Sequence, residues 1–297
     1  MTHSTSLPPD IREAFQAHSE LFKICGAVRA AKRQTGLSNR VYRLEADMGC
    51  FFLRLPRPET AGMVDRFSEA WNIDIAAGLS VALPPVFCEP ESGILLTPAV
   101  EPVSLAADAL AVQLGKAIGR LHASGAVFKG QLSADRVIEA QREVLSARSD
   151  LLNEVKSLES VLVELSLLEA GSLPNRLVPS HGDLSPGNCL ATSDTFWLID
   201  WEYSAMAAPE WDIAYTVLEH AFSVSQERVL VGAYQAVVPD ARCPTPRQVE
   251  IMKVKCDAVS ALWALEQLRQ ESDRTDFLAF ARERRDRALS RAANFIR

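Results

Sequence analysis

The sequence predicts an α+β fold in two lobes, a small antiparallel-sheet lobe at residues 1–100 and a larger, mainly helical lobe at 101–297. Short strand-like apolar runs occur in the first hundred residues, and long stretches with apolar residues at helical spacing follow. Between them, Pro98 and Pro102 interrupt the pattern, which places the boundary near Ala99–Ser104.

Charge and composition exclude several kinds of protein. The chain is 48% hydrophobic and 23% charged, as in ordinary globular proteins. Its net charge of −7 provides no electrostatic footprint for nucleic acid or for an anionic membrane. The six cysteines are scattered, no apolar run approaches the length of a membrane span, and Met1–Asp10 lacks a signal core. We therefore expect a cytoplasmic protein without membrane insertion.

In the first lobe the pattern predicts two helices and several strands. The opening helix, Ile11–Ile24, is expected to bury Ile11, Phe15, Leu21 and Phe22. Strand-like runs follow at Val41–Glu45, Cys50–Pro56, Val86–Phe87 and Ile94–Leu96. The second helix, Met63–Leu79, is expected to bury Phe67, Trp71, Ile75 and Leu79.

Two features of this lobe have a chemical interpretation. Backbone N–H groups of the turn at Gly36, Ser38 and Asn39 can point at phosphate oxygens, although by itself the turn is better explained as an ordinary hairpin. Arg54 is a cation inside an apolar strand and needs a partner, because burying an unpaired charge is costly. Glu69 is a better candidate than Glu59, since it lies in the middle of the helix, but a solvated Glu69 fits the pattern equally well.

The second lobe is predicted to consist mostly of helices, at Leu105–Ser124, Leu132–Ala170, Asp212–His220, Gln248–Glu271 and Phe277–Ile296. His122 lies on an apolar helix face, so we expect a packed core histidine. Acidic residues are interleaved with the basic ones of the last helix, which indicates an ordinary exposed face instead of a nucleic-acid arm.

The stretch Ser180–Tyr203 carries the chemistry. Asp183 follows His-Gly, Asn188 lies five positions later, and Asp200 ends the apolar run Phe196–Ile199. This order predicts a catalytic loop, a short strand or hairpin, and a metal-binding carboxylate. Asp183 would accept the proton of an attacking hydroxyl, while Asn188 and Asp200 supply the oxygen ligands that Mg²⁺ prefers. A metal hydrolase would need more histidine ligands, and the five histidines show no paired ligand spacing.

With these motifs the chain resembles the choline/ethanolamine kinase branch of the aminoglycoside-phosphotransferase-like kinases, from about Thr35 to Gln270. The segment from His181 to Asn188 resembles the catalytic loop of that family, and Asp200 with the Glu-Tyr pair after it resembles the metal-binding segment. Asp212 matches an aspartate that supports the same loop. The resemblance implies a bilobal, protein-kinase-like fold that binds ATP and Mg²⁺.

The resemblance also implies roles in the first lobe. Gly36, Ser38 and Asn39 match a phosphate-binding loop, although Thr35 stands where the family often has a second glycine. Arg54 falls at the position where protein kinases have a phosphate-pairing lysine, which favours an Arg54–Glu69 pair at the nucleotide.

The identity of the substrate depends on a late helix. Choline kinases resembling this chain have two tryptophans three residues apart there, whose faces hold a quaternary ammonium group. Trp263 matches the first, but Glu266 replaces the second; it either pairs with an ammonium group or faces away. Glu202 and Tyr203 are the other expected substrate contacts.

We therefore expect an ATP- and Mg²⁺-dependent kinase that phosphorylates the hydroxyl group of choline or a related amino alcohol such as ethanolamine. A kinase for another hydroxylated amine, such as thiamine or an aminoglycoside, is the first alternative. A nucleotide-binding protein that has lost turnover is the second, and the presence of Asp183, Asn188 and Asp200 argues against it.

Overall fold

The computed structural model describes residues 7–34, 39–57, 64–169, 176–269 and 276–295. The chain divides into two compact units. The first contains Met1–Leu105 and Asn188–Tyr203, and the second contains Ala106–Gly187 and Ser204–Arg297. The sequence placed 188–203 in the second lobe, whereas the structure places it in the first unit because this segment pairs with residues of that unit.

The first unit is built on a five-stranded antiparallel sheet in the order β1-β2-β3-β5-β4. The strands are β1 (Val28–Arg33), β2 (Asn39–Ala46), β3 (Gly49–Pro56), β4 (Phe87–Glu89) and β5 (Ile94–Pro98). Alternate residues of the central strands, such as Leu44 and Leu53, are fully buried in one apolar cluster. The period-2 pattern thus fixes which face of the sheet meets the core.

The opening helix of this unit is broken in two, which corrects the prediction of one helix at Ile11–Ile24. Helices α1 (Pro9–Ala17) and α2 (Ser19–Cys25) meet at His18, whose backbone is extended. The break changes the direction of the second helix, so that Leu21 faces the core while Phe22 is 59% exposed. Placing Phe22 inside was therefore wrong.

Helix α3 (Arg66–Gly78) buries a different face from the one predicted. Phe67 and Trp71 are 57% and 51% exposed. The buried residues are Glu69, Asn72, Ile73 and Ala76. The helix turns this partly polar face inward because Glu69 meets Arg54 there, and the ion pair outweighs the burial of two aromatic rings.

The predicted hairpin in the central stretch is present and belongs to the first unit. Strands β7 (Cys189–Ala191) and β8 (Phe196–Leu198) are antiparallel. Leu198 also bridges to Ala82, and the backbone N–H of Leu198 donates to Val81. The hairpin is thereby fixed beside the end of α3.

The second unit is mainly helical and also contains one two-stranded ladder, β6 (Val178–Ser180) with β9 (Ala205–Ala207). Its helices are α4 (Ala107–Ala123), α5 (Ala134–Val144), α6 (Ser149–Asn153), α7 (Leu158–Glu169), α8 (Glu210–Glu219), α9 (Val224–Gln235), α10 (Pro246–Arg269) and α11 (Asp276–Ala292). The single helix expected at Leu132–Ala170 is three helices. Within the described ranges, no helix is both long and apolar enough to cross a membrane.

Three of the basic residues of α11 do not lie on an ordinary exposed face, which corrects another prediction. Arg284 is buried, with 7% of its surface exposed, and Arg287 and Arg291 form ion pairs with Asp257 and Glu250 of α10. The small residues Ala281, Ala288 and Ala292 lie buried between them. The arginines therefore attach the helix to its own unit.

Candidate active site

The loop that the sequence predicts to be catalytic starts where β6 ends. Ser180 and His181 are fully buried, and the chain then turns at Gly182, whose φ is +87°. A side chain at this φ would strain the backbone, so the turn requires glycine. Asp183 follows the turn, and its backbone N–H donates to His181 Nδ1 at 3.3 Å. In the His-Gly-Asp sequence, His181 thus accepts the hydrogen bond, Gly182 forms the turn, and Asp183 donates its backbone N–H.

Asp212, at the start of α8, is hydrogen-bonded to the backbone of this loop. Its carboxylate accepts the backbone N–H groups of His181 at 2.9 Å and Gly182 at 3.0 Å. Burial by itself would raise the pKa of Asp212, but hydrogen bonding to His122 and to Gly182 outweighs it and keeps the pKa below its usual value. The structural role that the sequence predicted for Asp212 matches these contacts.

His122 supports Asp212, a role that the sequence did not reveal. Its Nε2 lies 3.2 Å from Asp212 Oδ2, and its Nδ1 lies 3.2 Å from the hydroxyl of Tyr234. A carboxylate can only accept, so His122 Nε2 is the donor in its hydrogen bond to Asp212. The expectation of a packed histidine is correct, but its partner lies 90 residues away in the chain.

Two aromatic residues one turn apart on α8 also contact the loop. Trp211 Nε1 donates to the carbonyl of Gly182 at 3.0 Å, and the hydroxyl of Tyr215 is hydrogen-bonded to Asp183. The two rings are stacked, with centroids 6.4 Å apart and planes within 7°. Burial, the charge of Asp183 and this hydrogen bond raise the pKa of Tyr215 well above its usual value, so the phenol stays a donor. Tyr215 was not predicted as a site residue.

Glu219 lies one further turn along the same helix. Burial raises its pKa to about 7, against the lowering effect of Arg287, and the negative charge of Asp183 adds to the rise. Arg284 pairs with it at 3.0 Å. The sequence did not single out Glu219, although its spacing of four from Tyr215, and of eight from Trp211, places all three on one helix face. This spacing was the feature of the sequence that could have indicated Glu219 as a site residue.

In the first unit, Arg54 and Glu69 form the predicted buried pair. The guanidinium contacts both carboxylate oxygens, with Arg54 Nη2 donating to Oε2 at 2.8 Å. Burial alone would raise the pKa of Glu69, but its pairing with Arg54 and with Arg66 keeps the pKa below its usual value. The pairing predicted from the sequence is present, and its role at a nucleotide stays a prediction.

Arg66 connects this pair to two other site residues and was missed by the sequence reasoning. It donates to Glu69 at 2.8 Å and to Asn39 Oδ1 at 2.9 Å, and it lies 3.3 Å from Glu202. Asn39 Nδ2 in turn donates to Glu202 at 2.9 Å. The carboxylate of Glu202 is only 3% exposed. These contacts hold Glu202 within the first unit, and the substrate-contact role predicted for it stays a prediction.

Asp200 and Asn188 also lie together in the first unit. The backbone N–H of Ile199 donates to the carbonyl of Asn188 at 3.0 Å, so the residues Asn188 and Asp200 flank one end of the hairpin. Asp200 has a φ of +64°, a left-handed conformation that only two other non-glycine residues adopt in the described ranges. Its carboxylate lies 3.7 Å from Arg54. Such local strain is typical of functional sites.

The donor set at this point fits Mg²⁺. A carboxylate and an amide oxygen leave positions for water and phosphate oxygens, as Mg²⁺ usually requires. Within the described parts of the chain, no three His, Cys, Asp or Glu side chains form a metal cluster. In those parts the structure thus shows no closed zinc-type cluster, and Mg²⁺ binding by Asn188 and Asp200 stays a prediction.

The other predicted residues have varied surroundings. Tyr203 is 48% exposed. Trp263, on α10, packs edge-on against Phe277 and Phe280 of α11, with ring centroids 5.6 Å and 6.5 Å away. Glu266, one turn later, is partly buried. Gly36 and Ser38 lie outside the described residues, so the phosphate-binding turn stays a prediction.

Comparison with known proteins identifies the family. The model of the phosphotransferase enzyme family (APH) matches residues 30–248. The chain belongs to this phosphotransferase family. The match spans both units and includes the loop of Asp183, the hairpin with Asp200 and the support from Asp212.

Solved structures of phosphotransferases share the fold. A choline/ethanolamine kinase family protein from Mesorhizobium loti is 27% identical, with a TM-score of 0.74 over 95% of this chain and 93% of the other. Choline kinase LicA from Streptococcus pneumoniae is 21% identical, with a TM-score of 0.77 over 97% and 100% of the two chains. The predicted α+β fold of the kinase-like type is confirmed.

Curated relatives match over a shorter range. Protein LicA of Haemophilus influenzae is 29% identical over 194 residues, which are 63% of this chain and 56% of that protein. A LicA homolog of Metamycoplasma hominis is 26% identical over 60% of its length. The matches thus span less than two thirds of these relatives.

Proposed function

We propose that this phosphotransferase transfers the γ-phosphoryl group of ATP to the hydroxyl group of choline or a related small amino alcohol. The observation that carries the proposal is Asp183, placed on a loop that Asp212, His122 and Tyr215 hold in one conformation. A carboxylate so fixed accepts the proton of the attacking hydroxyl and keeps that oxygen in line with the phosphorus.

Asn188 and Asp200 are the proposed ligands of Mg²⁺, because the two residues flank the same end of the hairpin and carry an amide and a carboxylate oxygen. When bound, the metal ion would neutralise the charge of the phosphate oxygens. Arg54, held by Glu69, provides a fixed cation for the nucleotide phosphates. One neighbour, described as LicA in complex with AMP, supports a nucleotide in a protein of this fold.

The choice of a cationic alcohol has narrower support. Proteins with solved structures of this fold are described as choline or ethanolamine kinases, and Trp263 lies in an aromatic cluster with Phe277 and Phe280. Macrolide and spectinomycin phosphotransferases share the fold with TM-scores of 0.58 to 0.61. An aminoglycoside, thiamine or another hydroxylated amine is therefore the competing acceptor.

We also propose a cytoplasmic location for the protein, which its scattered free cysteines support.

An acceptor screen tests the proposal. Purified protein with ATP and Mg²⁺ is given choline, ethanolamine, thiamine, a macrolide or an aminoglycoside, and ADP release is measured. We expect the highest kcat/KM with choline or ethanolamine and no acceptor-dependent release from Asp183→Asn. Faster turnover of an antibiotic or of thiamine would contradict the proposed substrate and leave the kinase chemistry intact.

A further inference from the structure

The hydrogen bonds that support the loop of Asp183 continue beyond His122 to a third helix. Tyr234, on α9, is only 1% exposed, and its hydroxyl lies 3.2 Å from His122 Nδ1. The two rings also pack edge to face, with centroids 5.6 Å apart and planes at 81°. The path from Tyr234 through His122 and Asp212 to the loop thus joins α9, α4 and α8, and all of it lies within the second unit.

Two glycines on α4 allow α9 to approach closely at this point. A Cβ atom added to Gly115 would lie 2.3 Å from the carbonyl oxygen of Leu230 and 3.1 Å from the backbone nitrogen of Tyr234. At Gly119, one turn later, the added atom would lie 3.3 Å from the carbonyl oxygen of Tyr234. The shortest of these distances is far inside van der Waals contact, so a larger residue at Gly115 would displace α9. The glycines therefore fix the backbone of Tyr234 against the helix that carries His122.

The protonation of the groups on either side of His122 determines which atoms can donate. Despite its burial, Asp212 is ionised, because hydrogen bonds keep its pKa below the usual value, so His122 Nε2 donates to it. Burial raises the pKa of Tyr234 well above its usual value, so the phenol keeps its proton. In a neutral imidazole that is protonated at Nε2, Nδ1 is an acceptor, and the hydroxyl of Tyr234 is a donor within reach of it.

We propose that Tyr234 is a positioning residue: its hydroxyl donates to Nδ1 of His122 and so selects the ring tautomer in which Nε2 donates to Asp212. The carboxylate of Asp212 is thereby held where it accepts the two backbone N–H groups of the loop that precede Asp183. Tyr234 acts through His122 and does not touch the reacting atoms. The inference rests on the proposed function, because the loop that is positioned carries the base of that reaction.

Tyr234→Phe removes the hydroxyl and keeps the ring that packs on His122. We expect kcat for the phosphorylation of choline to fall about fivefold, because a hydrogen bond between neutral groups is worth about that factor. KM for choline and KM for ATP should stay within about twofold, since the variant changes no group that binds either substrate. Tyr42→Phe is the matched control, because Tyr42 is also buried and its hydroxyl bonds to Asp10. Equal kcat in the two variants, or a rise in KM without a fall in kcat, would overturn the proposal.

A double variant tests whether Tyr234 acts through His122. His122→Phe keeps a ring at this position and removes both nitrogens, so the hydroxyl of Tyr234 has lost the acceptor through which it acts. Adding Tyr234→Phe to this variant should therefore change kcat by less than about twofold. The same fivefold loss in both backgrounds would show that the hydroxyl acts by another route, and it would overturn the proposal.

NMR spectroscopy separates this inference from the proposed function, because it requires no turnover. In wild-type protein labelled with ¹⁵N in its histidines, we expect His122 to carry a proton on Nε2 and none on Nδ1, and a proton on Nδ1 would overturn the proposal. This measurement needs no variant, so it decides the question if Tyr234→Phe does not fold.

Amide hydrogen exchange completes the test if the wild type phosphorylates no alcohol, in which case the proposed function fails by itself. The amides of His181 and Gly182, which donate to Asp212, should then exchange faster in Tyr234→Phe than in the wild type. The amide of Leu198, which donates to Val81 in the first unit, is the internal control and should be unchanged. Equal exchange of the two loop amides in both proteins would overturn the role of Tyr234.

Discussion

At the scale of single residues, the site depends on carboxylates whose hydrogen-bond donors come from distant parts of the chain. Asp212 accepts from two loop N–H groups and from His122, so one buried carboxylate satisfies three donors. Such a network is stable only when its members are satisfied, since an unpaired buried polar group costs about 1–3 kcal/mol. The conformation of the loop therefore depends on all the hydrogen bonds of this network.

Tyr215→Phe tests whether the phenol positions Asp183. The variant loses one charge-assisted hydrogen bond and keeps the ring that stacks on Trp211. We expect kcat to fall about tenfold with little change in KM for ATP, a loss of about 1.4 kcal/mol of transition-state stabilisation. Tyr42→Phe is the control, because Tyr42 is also buried but bonds to Asp10, away from the loop. Equal kcat in the two variants would show that Tyr215 has no such role.

At the scale of elements, helix α3 shows why the sequence identified the partner of Arg54 but not the helix face. Hydrophobic spacing placed Phe67 and Trp71 inside, whereas the buried face is the one that carries Glu69. The charge on Arg54 decides the orientation, because an unpaired buried guanidinium costs more than exposing aromatic rings. The spacing of apolar residues in the sequence does not show which of these two free-energy costs is larger.

Glu69→Gln tests the ion pair that fixes α3. Removing the charge leaves Arg54 and Arg66 without their shared carboxylate, and breaking a buried pair costs about 3 kcal/mol or more. We expect a corresponding drop in the free energy of unfolding in urea and a raised KM for MgATP. Glu45→Gln is the control, since Glu45 is 58% exposed and pairs with Arg43 at the surface. An equally small effect of both variants would contradict the importance of the buried pair.

At the scale of the whole molecule, local motifs were predictable and long-range partners were not. The order Asp183, Asn188, Asp200 and the strand containing Arg54 could be read from the sequence because spacing alone defines them. The role of Arg66 could not be read from the sequence, because its partners Asn39 and Glu202 lie 27 and 136 residues away from it in the chain. The break at His18 was equally hidden, since no proline or glycine marks it.

Whole-molecule stability is expected to depend on pH through two buried acids. Burial raises the pKa of Glu219 to about 7 and that of Asp257 to about 6, above the values of the unfolded chain. The folded state therefore binds more protons than the unfolded chain. The stability that this protonation supplies is present at about pH 4, and it is lost as the pH rises through the pKa values of the folded state.

We expect the free energy of unfolding to decrease between pH 5 and pH 8, by on the order of 2 kcal/mol from Glu219. Chemical unfolding at several pH values measures this slope. Glu219→Gln should flatten it, because glutamine does not titrate. A slope that Glu219→Gln leaves unchanged would show that the pKa of Glu219 is not raised.

The most direct test of the proposed chemistry is ³¹P NMR of the reaction products. Wild-type protein with ATP, Mg²⁺ and choline should produce a phosphomonoester signal together with ADP, and removal of Mg²⁺ by EDTA should abolish it. Asp183→Asn should lower the rate at least about a thousandfold while ATP binding persists. A phosphomonoester formed at an undiminished rate by Asp183→Asn would contradict the assignment of Asp183 as the base.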